Sequence, residues 1–168
     1  MEIQGAGYLY SLATISITFV GFSALLIFFR QTAGSGMQKY DNYFVLTFMQ
    51  TGFIVTIGSF LPQIIRAFTS TDSLAWQIAS FLIVIPLLIF VFTLPGRRRA
   101  VTGTNMPVAI RIPLIIQWFA ALLLLSNIVG VPMGSGFPLY GAAMVIILIT
   151  AMVAFLFALG IIFRENKG

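Results

Sequence analysis

The chain has 168 residues, of which 60% are hydrophobic and only 8% charged, and its mean hydropathy is +1.05. Because soluble domains typically carry about 25% charged residues, this composition excludes a water-soluble globular protein and predicts one membrane domain over residues 1–168. Cysteine and histidine are both absent, which excludes disulfides, thiol and histidine catalysis, Cys/His zinc sites and histidine-ligated haem.

The excess of basic residues gives a net charge of +5 and a pI of about 10.1. In a soluble protein this charge would indicate nucleic acid as a partner. Here every charged residue lies outside the long apolar runs, so we interpret the excess as a topology signal and as contacts to anionic lipid headgroups. We therefore expect membrane lipid, and not nucleic acid, as the partner of these residues.

Five uncharged apolar stretches are long enough to cross a bilayer, since about 20 helical residues span its hydrocarbon core. The predicted spans are residues 8–29, 42–65, 74–94, 112–130 and 139–163. The predicted fold class is therefore an all-α integral membrane protein, a bundle of five transmembrane helices. The first span follows no basic residue, so we expect a retained helix and not a secretory signal.

Polar residues of the first predicted helix fall on one narrow stripe, given about 100° of rotation per residue. They are Ser11, Thr14 and Thr18, with Gly21 beside them. We expect this stripe to face protein, either as the lining of a pore or as a packing seam whose hydroxyls bond to their own or a neighbouring helix.

The second predicted helix is polar on two opposite faces. One face carries Thr47, Gln50, Thr51 and Gly58, and the other carries Gly52, Thr56, Ser59 and Gln63. A helix that avoids lipid on both sides is expected at the centre of the bundle. Gln50 and Thr51, predicted near mid-membrane, are the first candidates to line a path for solute.

The third predicted helix leads into the only dense cluster of charges. Ser73 or Asp72 is expected to cap its start, and Pro86 to kink it. The stretch Gly96-Arg97-Arg98-Arg99 is expected to form a short loop with Arg111 further on. These four arginines are predicted to hold anionic lipid headgroups at the cytoplasmic face or to act as topology signals alone.

Basic residues are distributed very unequally across the predicted membrane. Eight lie on the side of the arginine cluster, and only Arg66 lies on the other side. The positive-inside rule then predicts an outside amino terminus and a cytoplasmic carboxyl terminus. The predicted location is the cytoplasmic (inner) membrane of a bacterium.

The fourth and fifth predicted helices carry candidates for packing. Gln117 and Asn127, with Ala120 between them, are expected on one side of the fourth helix, where they would meet the polar second helix or pack. Small residues on one face of the fifth helix predict close contact with another helix or a second subunit. These residues are Ala143, Ala151, Ala154 and Ala158.

Aromatic residues mark the predicted helix ends, where amphipathic rings favour the membrane interface. The expected interfacial residues are Tyr8, Tyr10, Tyr40, Tyr43, Trp76 and Tyr140. Trp118 lies well inside the fourth span, so we expect it to pack against protein or a lipid chain.

Catalytic chemistry is not predicted. Gly134-Ser135-Gly136 is similar to the serine loop of an intramembrane protease, but no histidine exists to accept the serine proton, so a turn is expected. The four acidic residues lie outside the predicted spans, which disfavours proton-driven transport. We expect no enzyme activity, no metal and no cofactor.

Two functions remain open from the sequence. The first is a homo-oligomeric channel or passive facilitator for ions or small solutes, with a neutral polar lining. The second is a non-catalytic accessory or scaffold subunit of a membrane complex, or a lipid-binding membrane protein. The first predicts copies of this chain as partners, and the second an unrelated membrane subunit or lipid.

Overall fold

The computed structural model describes residues 3–32, 39–103, 108–131 and 135–165, and the side chains of the last helix as far as Leu156. The described residues form helices and no strand. The helices are α1 Ala6–Thr32, α2 Lys39–Arg66, α3 Asp72–Thr102, α4 Val108–Val129 and α5 Phe137–Glu165. Each contains a segment long and apolar enough to cross a membrane, so the predicted all-helical class and the five apolar helices are confirmed.

The arginine cluster lies on a helix, so the expectation of a loop there is wrong. Helix α3 continues through Pro95 and Gly96 to Thr102. Pro95 removes one backbone hydrogen bond of the helix, but α3 continues beyond it for about two more turns. The helix ends instead where Gly103 adopts a φ of 65° and donates its backbone N–H to the Arg99 carbonyl.

The start of α3 also differs from the expected cap. Thr71 is the N-cap residue, with an extended backbone and no capping hydrogen bond from its side chain, and the helix begins at Asp72. The Asp72 carboxylate pairs with Arg66 at the end of α2, and Arg66 also donates to the Thr69 carbonyl. These contacts close the turn between the two helices.

Helix α2 is central, as its two polar faces predicted. It packs against α1, α3 and α5, while α3 packs against α4 and α4 against α5. Helices α2 to α5 thus form a closed ring of four, and α1 lies outside it against α2 and the edge of α5. Among the described residues α2 and α4 lie diagonally across the ring and are not in contact.

The middle of the ring is filled with hydrocarbon. Val55, Leu87, Leu124 and Ile147, one from each of its helices, are all fully buried there. Apolar side chains also cover the outside: Ile57, Phe92, Ile115 and Leu156 are among the large residues that are more than half exposed. A surface this apolar suits lipid as its solvent, and the fold is compatible with a small multi-pass membrane protein.

Candidate functional site

Helices α1 and α2 approach each other closely at Gly52. A β-carbon at Gly52 would overlap Cγ2 of Val20, so only glycine allows this spacing. Because the two helices are close here, the Ser16 hydroxyl donates a hydrogen bond to the Gly52 carbonyl at 2.8 Å. Ser16 was not among the sequence-predicted residues, because it lies on the opposite side of α1 from the stripe singled out there.

A buried tyrosine joins α5 to α2 at a proline. Pro62 has no N–H, so the Gly58 carbonyl four residues earlier lacks its usual partner within the helix. The hydroxyl of Tyr140 donates to this carbonyl at 2.6 Å. In a membrane a neighbouring helix is expected to satisfy such a freed carbonyl, and the sequence signal that could have identified it is Pro62 itself.

Three of the five described aromatic residues that were expected at the interface are buried. Tyr8 and Tyr10 are exposed as expected, whereas Tyr43, Trp76 and Tyr140 are buried, and the side chain of Tyr40 lies outside the described residues. Tyr43, Trp76 and Tyr140 lie near the starts of α2, α3 and α5, as expected, but their side chains face inward. Tyr43 and Tyr140 donate to carbonyls of other helices, and the Trp76 and Tyr140 ring centroids lie 5.3 Å apart. Trp118 packs against Phe92, with ring centroids 4.9 Å apart.

Asn127 joins α4 to α3 and to the residue that precedes α5, near one end of the bundle. Its side chain is fully buried, donates to the Ser80 hydroxyl of α3 at 2.8 Å and accepts from the Gly136 N–H at 2.8 Å. The Ser135 hydroxyl beside it accepts from Gln77 at 2.9 Å. The expectation that Asn127 meets α2 is corrected, because α4 lies diagonally opposite α2.

Gln117 forms the second polar link of α4. Its amide nitrogen lies 3.4 Å from the Thr150 hydroxyl of α5, and both side chains are buried. Ala120, on the same side of α4, is fully buried as well. The polar side of α4 therefore faces α3 and α5, and its amides orient neighbouring helices, a contribution of about 0.6 to 2 kcal/mol each.

The α2 candidates for a pore lining are occupied by contacts within the chain. The Gln50 oxygen accepts from Nη1 of Arg97 at 2.8 Å, which joins α2 to α3. Thr47 and Thr51 are buried and donate to carbonyls of their own helix. Gln50 is half-buried within the apolar segment Val45–Arg66, and its expected place near mid-membrane stays a prediction.

The four arginines have different environments. Arg97 is half-buried against Gln50, and Arg98 is buried, with 4% of its surface exposed. Arg99 and Arg111 are both exposed. The sequence grouped these residues by charge alone, whereas the helical backbone of 97–99 turns successive side chains in different directions.

The predicted stripe of α1 faces away from the rest of the chain, so the expectation that it faces protein stays a prediction about another subunit. Ser11, Thr14 and Thr18 are exposed, and each hydroxyl donates to the carbonyl four residues earlier, at 3.0, 2.9 and 2.7 Å. The other side of α1, with Leu12 and Ser16, is the one that is buried. Bonding to its own helix lets a hydroxyl face lipid with its donor satisfied.

The alanine face of α5 packs inside the bundle. Ala143 and Ala151 are buried, Ala154 is half-buried, and the side chain of Ala158 lies outside the described residues. Where it is described, this face serves contact between helices of one chain, and its use between subunits stays a prediction.

No group of three metal-ligating side chains is found among the residues that the structure describes. No protein-family model, curated protein or solved structure matches the chain. The function is therefore argued from the contacts above.

Proposed function

We propose that this protein is a non-catalytic accessory or scaffold subunit that acts in the membrane by binding other membrane components. The observation that carries the proposal is how its interior polar groups are used. The contacts Gln50–Arg97, Gln117–Thr150, Asn127–Ser80 and Tyr140–Gly58 each join two helices. Together with the apolar centre of the ring, they disfavour conduction through a single chain, and the exposed hydroxyls of α1 then favour a role in binding another subunit.

The exposed stripe of α1 is the surface that we propose for the partner subunit. Ser11, Thr14 and Thr18 place polar atoms where the other helices present large apolar side chains. Small residues on a membrane helix allow close approach of a second helix, and hydroxyls can then bond across the contact.

A homo-oligomeric channel for ions or small solutes is the second candidate, and the same stripe supports it. Because the centre of the ring is packed, such a pore would run between copies of the chain. The hydroxyls of α1 would line it, with selectivity set by pore diameter and by hydroxyl dipoles.

Vesicle flux and copurification distinguish the two candidates. The scaffold proposal predicts an unrelated subunit that copurifies from native membrane in mild detergent, and ion or solute flux no higher than in empty vesicles. The triple variant Ser11→Ala, Thr14→Val and Thr18→Val should release that subunit. As a matched control, Thr93→Val removes an exposed hydroxyl of α3 that also bonds to its own helix, and it should retain the subunit.

Flux above empty vesicles that the triple variant changes would contradict the scaffold proposal and favour the channel. Wild-type protein purified from native membrane without any other subunit would also count against the scaffold proposal.

A further inference from the structure

The register between α3 and α4 places two arginines on the same side of this helix pair, along the groove between the two helices. The Phe92 and Trp118 rings contact edge to face, with centroids 4.9 Å apart, so these residues lie at the same level of two antiparallel helices. Arg99 lies seven residues after Phe92, and Arg111 lies seven residues before Trp118. Seven residues make about two turns and about 10.5 Å of rise, so both arginines return to the groove at a common level.

The groove below the arginines is apolar and open. Phe92 and Ile115 line it with 67% and 65% of their surfaces exposed, and Ile89 extends it along α3. Gly96 lies on the same face between Phe92 and Arg99, and a β-carbon there would contact nothing within 4 Å. This face therefore has an aromatic and aliphatic wall, a gap at Gly96, and a pair of exposed cations at its end.

The level of the arginines corresponds to the edge of a bilayer. The apolar run 74–94 of α3 has about the length of a hydrocarbon core at 1.5 Å per residue. Arg99 comes one to two turns after that run, and Arg111 directly precedes the predicted apolar span 112–130 of α4. From this spacing we expect both guanidinium groups at the depth of lipid phosphates and the groove at the depth of acyl chains.

We propose that Arg99 and Arg111 bind the phosphate of an anionic phospholipid, one of whose acyl chains lies along the α3–α4 groove against Phe92 and Trp118. A guanidinium can donate two parallel hydrogen bonds to a phosphate, and two guanidinium groups at one level can share it. The charge of the site selects an anionic headgroup, and the apolar wall selects a lipid over free phosphate. This site goes beyond the proposed scaffold function and does not depend on it.

Quenching of Trp118 fluorescence by brominated acyl chains tests the site. The protein is reconstituted in vesicles that contain either brominated phosphatidylglycerol or brominated phosphatidylcholine in a non-brominated phosphatidylcholine background. Attraction between one arginine and an anionic surface corresponds to about fivefold in affinity, so we expect phosphatidylglycerol to be preferred about fivefold or more. Trp118→Phe isolates the signal of Trp76, the only other tryptophan, which is buried, and should remove the preference.

Matched variants separate the site from general attraction by charge. Arg99→Gln with Arg111→Gln should remove the preference for phosphatidylglycerol, whereas Arg99→Lys with Arg111→Lys, which keeps both charges, should retain part of it. Arg164→Gln with Lys167→Gln removes the same charge after the α5 apolar run and should leave the preference unchanged. Equal quenching by the two lipids, or a preference lost equally in the two glutamine pairs, would overturn the proposal.

Discussion

At the scale of single residues, the bond from Tyr140 to Gly58 shows how one missing N–H is compensated by a distant side chain. The Gly58 carbonyl has no partner within α2 because Pro62 occupies the donor position. The Tyr140 hydroxyl supplies that donor from α5. A buried acceptor without a partner costs about 1–3 kcal/mol. The Tyr140 hydroxyl therefore contributes more to the stability of the fold than the formation of one hydrogen bond alone.

Tyr140→Phe is expected to lower the free energy of unfolding by about 1–3 kcal/mol. The loss should be much smaller in a Pro62→Ala background, where the N–H of the new alanine can bond to the Gly58 carbonyl within the helix. The free energy of unfolding in mixed detergent micelles, measured for the wild type, the two single variants and the double variant, gives the coupling energy between Tyr140 and Pro62.

Tyr10→Phe serves as the control, because it removes a tyrosine hydroxyl from an exposed position. It should change the free energy of unfolding by less than about 0.5 kcal/mol. An equal cost of Tyr140→Phe with and without Pro62 would show that the hydroxyl does not act through the freed carbonyl.

At the scale of helices, the packing of α1 on α2 depends on Gly52. Gly52→Ala places a methyl group against Val20, and the helices must separate. We expect a loss of about 1–3 kcal/mol, measured as a lower midpoint of thermal unfolding in detergent.

Gly21→Ala is the matched control on the same helix pair, because a β-carbon at Gly21 would contact nothing within 4 Å. Removing the flexibility of an exposed helical glycine stabilises by up to about 1 kcal/mol. If Gly21→Ala destabilised the protein as much as Gly52→Ala, the loss at Gly52 could not be assigned to overlap of the new methyl group with Val20.

The sequence predicts helices better than it predicts their faces, for a physical reason. Bilayer thickness requires about 20 apolar residues per span, so five such runs identify five helices. Polarity is a weaker guide to orientation, because Thr14 and Thr18 satisfy their hydroxyls on their own helix and remain exposed, whereas Ser16 is buried. The partner of Asn127 depends on the order of helices around the ring, which an apolar run does not encode.

At the scale of the whole molecule, the orientation in the membrane stays a prediction from charge. Arg66 is the single basic residue expected outside, and its pairing with Asp72 balances its charge locally. Arg99 and Arg111 are exposed at the opposite end of the bundle. The larger number of basic residues at the second end predicts that this end is cytoplasmic, because cations near membrane helices are retained on that side.

Single cysteines test this orientation cleanly, since the chain has none of its own. Ser70→Cys lies in the exposed connection between α2 and α3, and Ala100→Cys lies on an exposed position beside the arginines. In intact cells that express the protein, a membrane-impermeant maleimide should label Ser70→Cys only, and Ala100→Cys should react once the membrane is permeabilised. The unmodified protein is the control for background labelling. The two sites are separated by one passage of α3 through the bilayer. Labelling of Ala100→Cys alone in intact cells would therefore show that the orientation is the reverse of the predicted one.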